Sequence, residues 1–408
     1  MVINNQIKKI IWLLTVVLVV LITIFETYAW GRYVLMLVTG TILAIDFVLQ
    51  GNKYKVYLDK FHIYMVTLIC YAALSILWAI DISDPIIKTV TFIQILICMG
   101  TLYNYYIKQD KIEGLISVVK WSGYIISIYS LYYYGYSNVI SMMFSGVRLD
   151  NEYANVNTIG MYASYSIVIQ IDEFLRTKKF SWESLLCMPS FILVVATQSR
   201  KALLILIVSV VLLLILRNYN RKKLIANTLK TVFILVCFIL FVRFLSDYEM
   251  FAGINKRMEY LLAMFTQQGS IGASAMVRQQ LIDLGMEQFY ANPIFGIGIG
   301  CPHVIANQYL RFDAYLHNGF VEILAAGGII GFCIYYSAFA YLFYKFYKFR
   351  KLGDKNIALC LVLLLTLFFR EYAMVSIYDK IIYFYLMIFF IFIKHLQVIK
   401  NHLSKDRI

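Results

Sequence analysis

Charge is scarce in this chain. Only 15% of its 408 residues are Asp, Glu, Lys or Arg, while 61% are hydrophobic; a soluble domain carries roughly 25% charged residues, so an ordinary water-facing surface is excluded. Proline is scarcer still, with four residues, and leaves long helical stretches uninterrupted. There are seven cysteines and five histidines. Six cysteines fall inside apolar runs and only Cys301 lies outside them, which excludes a disulfide framework. Cys301-Pro302-His303 brings two ligating side chains close together, but without acidic or histidine company they do not define a metal site. No metal and no cofactor is expected.

What the sequence has in abundance is apolar runs near the ~20 residues that cross a bilayer, some short enough to imply kinks or tilt. They lie at 10–25, 33–49, 61–80, 89–107, 115–136, 156–171, 183–198, 201–216, 229–245, 318–343, 356–376 and 381–394. The expected fold is an all-α polytopic membrane protein with about twelve transmembrane helices. Nine helices occupy 1–245, a long extracytoplasmic loop 246–316, and three helices with a tail 317–408, as one integrated membrane domain.

The formal net charge of +14 is read against topology before any polyanion partner. With the N-terminus inside, the inner segments take Lys8-Lys9, Lys53 to Lys60, Lys108 and Lys111, Arg176 to Lys179, Arg217 to Lys230, Lys345 to Lys355 and the tail lysines. They hold the majority of the 37 basic residues. Both termini are therefore expected in the cytoplasm, with the lipid bilayer and not nucleic acid as the partner of this charge. The first run follows Lys8-Lys9 as a signal peptide would, yet the alternation needs it as a retained span.

The outer loop carries two amphipathic stretches, Ile254–Phe265 and Ser274–Tyr290, the second opened by a Ser274 cap. Gln267 to Gly272 reads as the turn between them, and Asn292-Pro293 stops the second. The glycines of NPIFGIGIG have the wrong spacing for a dinucleotide fingerprint and no βαβ unit around them, so they are turn residues.

Five groups in this frame are candidates for a chemical role. Arg200 and Lys201, in ATQSRKAL, fall at a tight outer hairpin where the positive-inside tendency disfavours them. They either snorkel to lipid phosphates or aim a guanidinium at an anion. Arg278 falls among Leu281, Ile282, Gly285 and Phe289 on the apolar side of its helix, away from Asp283 and Glu287. It needs a counter-ion from another loop or from a ligand, and Gly285 leaves room beside it. His317 in LHNGFVE stands where the loop re-enters the membrane. There His317 or Asn318 caps the next helix, or a neutral His317 serves as a general base. Arg370-Glu371 is an ion pair or a further anion contact. Tyr132, Tyr133, Tyr134 and Tyr136 stack on sugar rings or form an interfacial aromatic belt.

In order, SRKALL after an apolar span, an Arg-bearing loop helix followed by NPIFGIG, and LHNGFVEILAAGGIIG entering the next span resemble the O-antigen ligase and O-antigen polymerase superfamily of bacterial membrane glycosyltransferases. The segment from Gly146 to Asn157 is similar to the Arg and Asn pattern that precedes a middle span in that family, although Val156 stands where a Pro is frequent. The resemblance covers roughly 146–343 and implies a GT-C-like, metal-independent, inverting enzyme of the bacterial plasma membrane. Its donor and acceptor would be oligosaccharides on undecaprenyl pyrophosphate, with a flippase and a chain-length regulator as further partners. Carried over by position, Arg200 and Arg278 bind the pyrophosphate and His317 deprotonates the acceptor hydroxyl. Arg148, Asn157, Asn318 and Arg370 are substrate-binding candidates.

Three functions follow from the sequence. A polysaccharide polymerase joins lipid-linked repeats into O-antigen, capsule or exopolysaccharide, and is preferred on the compact loop and the SRKALL form. A ligase moves a finished glycan to lipid A core or protein. A transporter would show midplane charges or matching halves with broken helices, and neither is seen in the sequence.

Overall fold

The computed structural model describes residues 5–25, 28–109, 112–145, 147–150, 153–217 and 273–405. Among them the chain is all-helical, with fourteen α-helices and no strand. In chain order these are α1 (Asn5–Ile24), α2 (Ala29–Gln50), α3 (Lys60–Leu74), α4 (Ser83–Tyr106), α5 (Glu113–Tyr134), α6 (Tyr136–Phe144) and α7 (Val156–Thr177). There follow α8 (Cys187–Ala196), α9 (Arg200–Arg217), α10 (Ala273–Ala291), α11 (Pro302–Leu310), α12 (Gly319–Phe349), α13 (Ile357–Arg370) and α14 (Lys380–Lys405). Seven described helices, α1 to α5, α12 and α14, are long and apolar enough to cross a membrane, and α8 and α13 are shorter apolar helices. With α7 and α9, they account for eleven of the expected runs. The run at 229–245, the stretch 254–265 and the turn 267–272 lie outside the described residues.

The chain folds into two compact units that interleave in sequence: Met1–Leu35, Glu113–Ile271 and Lys355–Thr366 in the first; Met36–Ile112, Gly272–Asp354 and Leu367–Ile408 in the second. In the first unit, α7 packs against α5, α8 and α9, and α1 against α5. Ion pairs tie these helices together near one end. Lys120, a cation inside α5, meets Glu173 at 2.7 Å and Glu183 at 2.5 Å, while buried Asp172 takes Arg176 and Arg217. A buried cation persists only when so paired.

In the second unit α3 packs against α4 and α12, and α14 against α3, α4 and α12. Helix α12 departs from the expected unbroken span. Gly328, at φ 58° and ψ −162°, breaks it, and the NPIFGIG loop fills the break. The amides of Ile297 and Gly298 donate to the carbonyls of Ala325 and Ala326 at 2.9 Å, and Ile329 donates to Pro293 at 2.9 Å. The Tyr71 hydroxyl donates to Gly327 at 2.5 Å. Non-helical backbone at membrane depth is tolerated only where protein satisfies it in this way. Other spans end earlier than expected. Helix α5 stops at Tyr134, because Gly135 at φ 78° starts α6, and α13 stops at Arg370 before an irregular segment.

Candidate functional site

In the first unit the hairpin between α8 and α9 has only Thr197, Gln198 and Ser199 between helices, and all three are buried. Gln198 adopts φ 43°, the left-handed turn that reverses the chain in so little space. Helix α7 comes close at Gly160, where a Cβ would lie 2.9 Å from Thr197 Oγ1 and 3.0 Å from Ala202 Cβ. The N-terminus of α7 is capped by Asn155, whose side chain accepts the Asn157 amide at 3.0 Å. Asn157 Oδ1 in turn accepts from Ser199 Oγ at 2.9 Å and from Arg148 Nη2 at 2.9 Å, and Arg148 Nε donates to the Thr197 carbonyl at 3.1 Å. The Arg148 and Asn157 segment and the SRKALL hairpin are thus one hydrogen-bonded assembly. It sets half-buried Arg200 at the first residue of α9. A helix N-terminus is already electropositive, so a guanidinium there, with Arg148 beside the same hairpin, makes a region suited to an anion.

In the second unit α10 spans Ala273–Ala291, nearly the expected Ser274–Tyr290. Its Leu281 joins Ala306, Leu316, Val321 and Ala325 in a buried cluster. The room at Gly285 serves packing, which corrects the expectation that it makes space beside Arg278. A Cβ there would meet Leu316 Cδ1 at 2.4 Å and Val321 Cγ1 at 2.6 Å. Arg278, one turn before Leu281, is half-buried, and its burial pushes the guanidinium below its usual range. No carboxylate pairs with it among the described residues.

Leu316 leads into His317, which is exposed and held at φ 55°. Asn318, rather than His317, is the cap of α12: its Oδ1 accepts from Phe320 at 3.0 Å and Val321 at 3.2 Å. Two buried glutamates support this turn, one through its side chain and one through its backbone. Glu322 Oε2 accepts the Leu316 amide at 2.9 Å, and the Glu371 carbonyl accepts the Gly319 amide at 2.7 Å. The imidazole is therefore displayed by a turn whose own amides are spent on fixed partners. Arg370 is buried, donating to Ser376 at 2.9 Å and pairing with Asp379 at 2.9 Å, so it braces the segment between α13 and α14.

Sequence reasoning did not find a second group here. His303 lies between Asp84 and Asp313, at 2.8 Å from each. Burial alone would lower its pKa, but the hydrogen bond and charge of Asp84, with Asp313, hold it above the ordinary imidazole value. Lys88 donates to the Tyr315 hydroxyl at 3.1 Å and lies 4.4 Å over the Tyr378 ring. Its signal was weak, since Asp84 and Lys88 stand 219 and 227 residues from their partners. Among the described residues no three His, Cys, Asp or Glu are grouped to hold a metal.

The family model described as O-antigen ligase matches residues 185–336. This region belongs to the O-antigen ligase and polymerase superfamily. The match runs from α8 through the hairpin, α10 and the His317 turn into α12, and so contains Arg200, Arg278 and His317. No curated protein matches the chain. The superfamily supports an enzyme that handles glycans in a membrane, and the apolar helices agree with it.

Proposed function

We propose that this member of the superfamily is a polysaccharide polymerase, working without a metal at the outer face of the bacterial plasma membrane with both termini in the cytoplasm. It transfers a glycan from undecaprenyl pyrophosphate to a sugar hydroxyl of another lipid-linked repeat. Arg200 and Arg278 are each assigned to the pyrophosphate, with Arg148 as a further contact, and His317 to the acceptor. His317 takes the proton of the acceptor hydroxyl as its oxygen bonds to the anomeric carbon. The bond from that carbon to the pyrophosphate breaks on the opposite side, so the configuration inverts. The leaving pyrophosphate departs with its charge neutralised by guanidinium. Such a leaving group needs little more than positioning and charge stabilisation. Asn157 is assigned to holding Arg148 and Ser199, and Asn318 to capping the helix beside the base. A GT-C-like arrangement, a flippase and a chain-length regulator belong to the same reading.

The observation that carries the proposal is the buried hairpin at which Asn157, Arg148 and Ser199 lock the first turn of α9 around Arg200. The test is turnover of purified lipid-linked repeat by His317→Ala at matched protein amounts. Rates should fall by roughly 10²–10⁴ with donor binding retained, and cells should accumulate single lipid-linked repeats. Near-normal polymer from a stable His317→Ala protein would remove the base. Transfer of finished glycan to lipid A core, with no polymer made from repeats, would make the chain a ligase.

A further inference from the structure

The four tyrosines where α5 gives way to α6 do not share one environment. Tyr132 and Tyr136 are 72% and 55% exposed and suit an interfacial belt. Tyr133, itself 45% exposed, and half-buried Tyr134 differ in lining a cavity of about 340 Å³ with Asn138, Ser141, Met142 and Asp150, within the range of roughly 300–1,000 Å³ usual for small-ligand sites. The cavity lies within the first unit, between the end of α5, helix α6 and the segment that carries Arg148. Its aromatic wall is braced from behind. The Tyr153 ring packs 4.4 Å from Tyr133 and 5.4 Å from Tyr134, Tyr129 packs 5.7 Å from Tyr153, and the Tyr153 hydroxyl is fixed to Ser130. The Tyr134 hydroxyl donates to the Asp150 carbonyl at 2.7 Å, which ties the wall to the opposite rim.

We propose that this cavity is a glycan subsite that holds a sugar ring of the lipid-linked substrate; the proposal rests on the function proposed above. A sugar presents an apolar C–H face and a rim of hydroxyls. The cavity offers the complement: tyrosine rings held in place before binding, with an amide, a hydroxyl and a carboxylate around them. Pre-set aromatic walls lose little entropy on binding. Lipid tails would find no use for Asn138, Ser141 and Asp150, which argues against a belt at these positions. The carboxylate of Asp150 favours neutral or amino sugars and disfavours uronates, whose charge it would repel. Asp150 is two residues from Arg148, which bonds to the hairpin of Arg200, so the subsite belongs to the sugar next to the pyrophosphate that these arginines are assigned to hold.

The test compares two probes on the full-length protein in nanodiscs: lipid-linked repeat extracted from cells lacking this protein, and bare undecaprenyl pyrophosphate. Tyr133→Ala and Asp150→Ala should each weaken the glycan-bearing lipid about tenfold while binding the bare lipid as wild type does. Tyr132→Ala, outside the cavity, should bind both probes normally. Asn138→Trp, placed on the exposed side of α6, should fill the cavity and reproduce the selective loss even where Tyr133→Ala folds poorly. Equal binding of the glycan-bearing lipid by wild type, Tyr133→Ala, Asp150→Ala and Asn138→Trp would overturn the subsite. If in that case Arg200→Ala still weakens both probes, the pyrophosphate assignment survives it. A selective loss in the cavity variants with no effect of Arg200→Ala would support the subsite and remove that assignment.

Discussion

Arg200 and Lys201 are adjacent and both half-buried, yet they are assigned different partners, and substitution separates them. A guanidinium gives two parallel hydrogen bonds to phosphate oxygens and stays charged in a semi-apolar setting, which an ammonium does not. Arg200→Lys and Arg278→Lys should therefore lose nearly as much polymer formation as Arg→Ala, while Lys201→Gln keeps most of it. Activity retained by both Lys variants would make these arginines lipid anchors. His303 gives a pH-dependent prediction. Its folded pKa is raised above the unfolded value by Asp84 and Asp313, against the effect of burial, with Asp81 and Glu322 also in its field. Its stabilisation is thus complete below the unfolded pKa near 6.5 and fades as pH rises through the folded value. Thermal melting of purified protein should fall between pH 6.5 and the mildly alkaline range, and His303→Gln should flatten that slope; an unchanged slope would rule out the ion pair as its source. That a cap stands at His317-Asn318 was legible because capping is a local matter of side chain and next two amides, although which of the two residues provides it was not. The His303 pairing was not, because nothing in the chain near residue 303 announces Asp84.

At the scale of elements, α10 was legible to within a residue at each end, since its apolar spacing and the Asn292-Pro293 stop act locally; Ser274, expected as its cap, lies instead inside the helix, which includes Ala273. The break in α12 was hidden. AAGGIIG reads as ordinary small-residue packing, and only the neighbouring NPIFGIG backbone, which supplies partners for the released carbonyls, makes a break affordable. Glycine substitutions probe this directly. At Gly328 a Cβ would lie 2.3 Å from the Ile294 carbonyl oxygen, in a backbone region reserved for glycine. Gly328→Ala should cost more than about 3 kcal/mol, read as a large drop in melting temperature with loss of activity. Gly353, at φ 70° with nothing within 4 Å of a Cβ, should accept Ala for about 1–2 kcal/mol. Gly285→Ala meets only the ends of Leu316 and Val321, and should cost about 1–3 kcal/mol while shifting the turn that displays His317. If Gly328→Ala melts like Gly353→Ala, the break is not a fixed part of the native fold.

For the whole molecule, the charge bias of the loops predicts sidedness. In a cysteine-free background, Asn307→Cys should react with an impermeant thiol reagent in cells with any outer barrier permeabilised, and Lys178→Cys should not; the reverse pattern would invert the enzyme in its membrane. The order of the eleven expected helices that fall in the described residues was legible because apolar length is written in composition. The division into two interleaved units was not, because it depends on which helices pack, and helices of similar apolar character do not declare their neighbours. That interleaving has a consequence during synthesis. The Tyr64 and Tyr71 hydroxyls of α3 donate to the carbonyls of Tyr335 and Gly327, which lie 271 and 256 residues further along the chain. At ribosomal speeds of about 5–20 residues per second, α3 waits on the order of 10–50 s for those acceptors. Throughout that interval the nascent α3 holds tyrosine hydroxyls in the membrane whose native partners have not yet been translated, so the insertion machinery, rather than the finished protein, must shelter them.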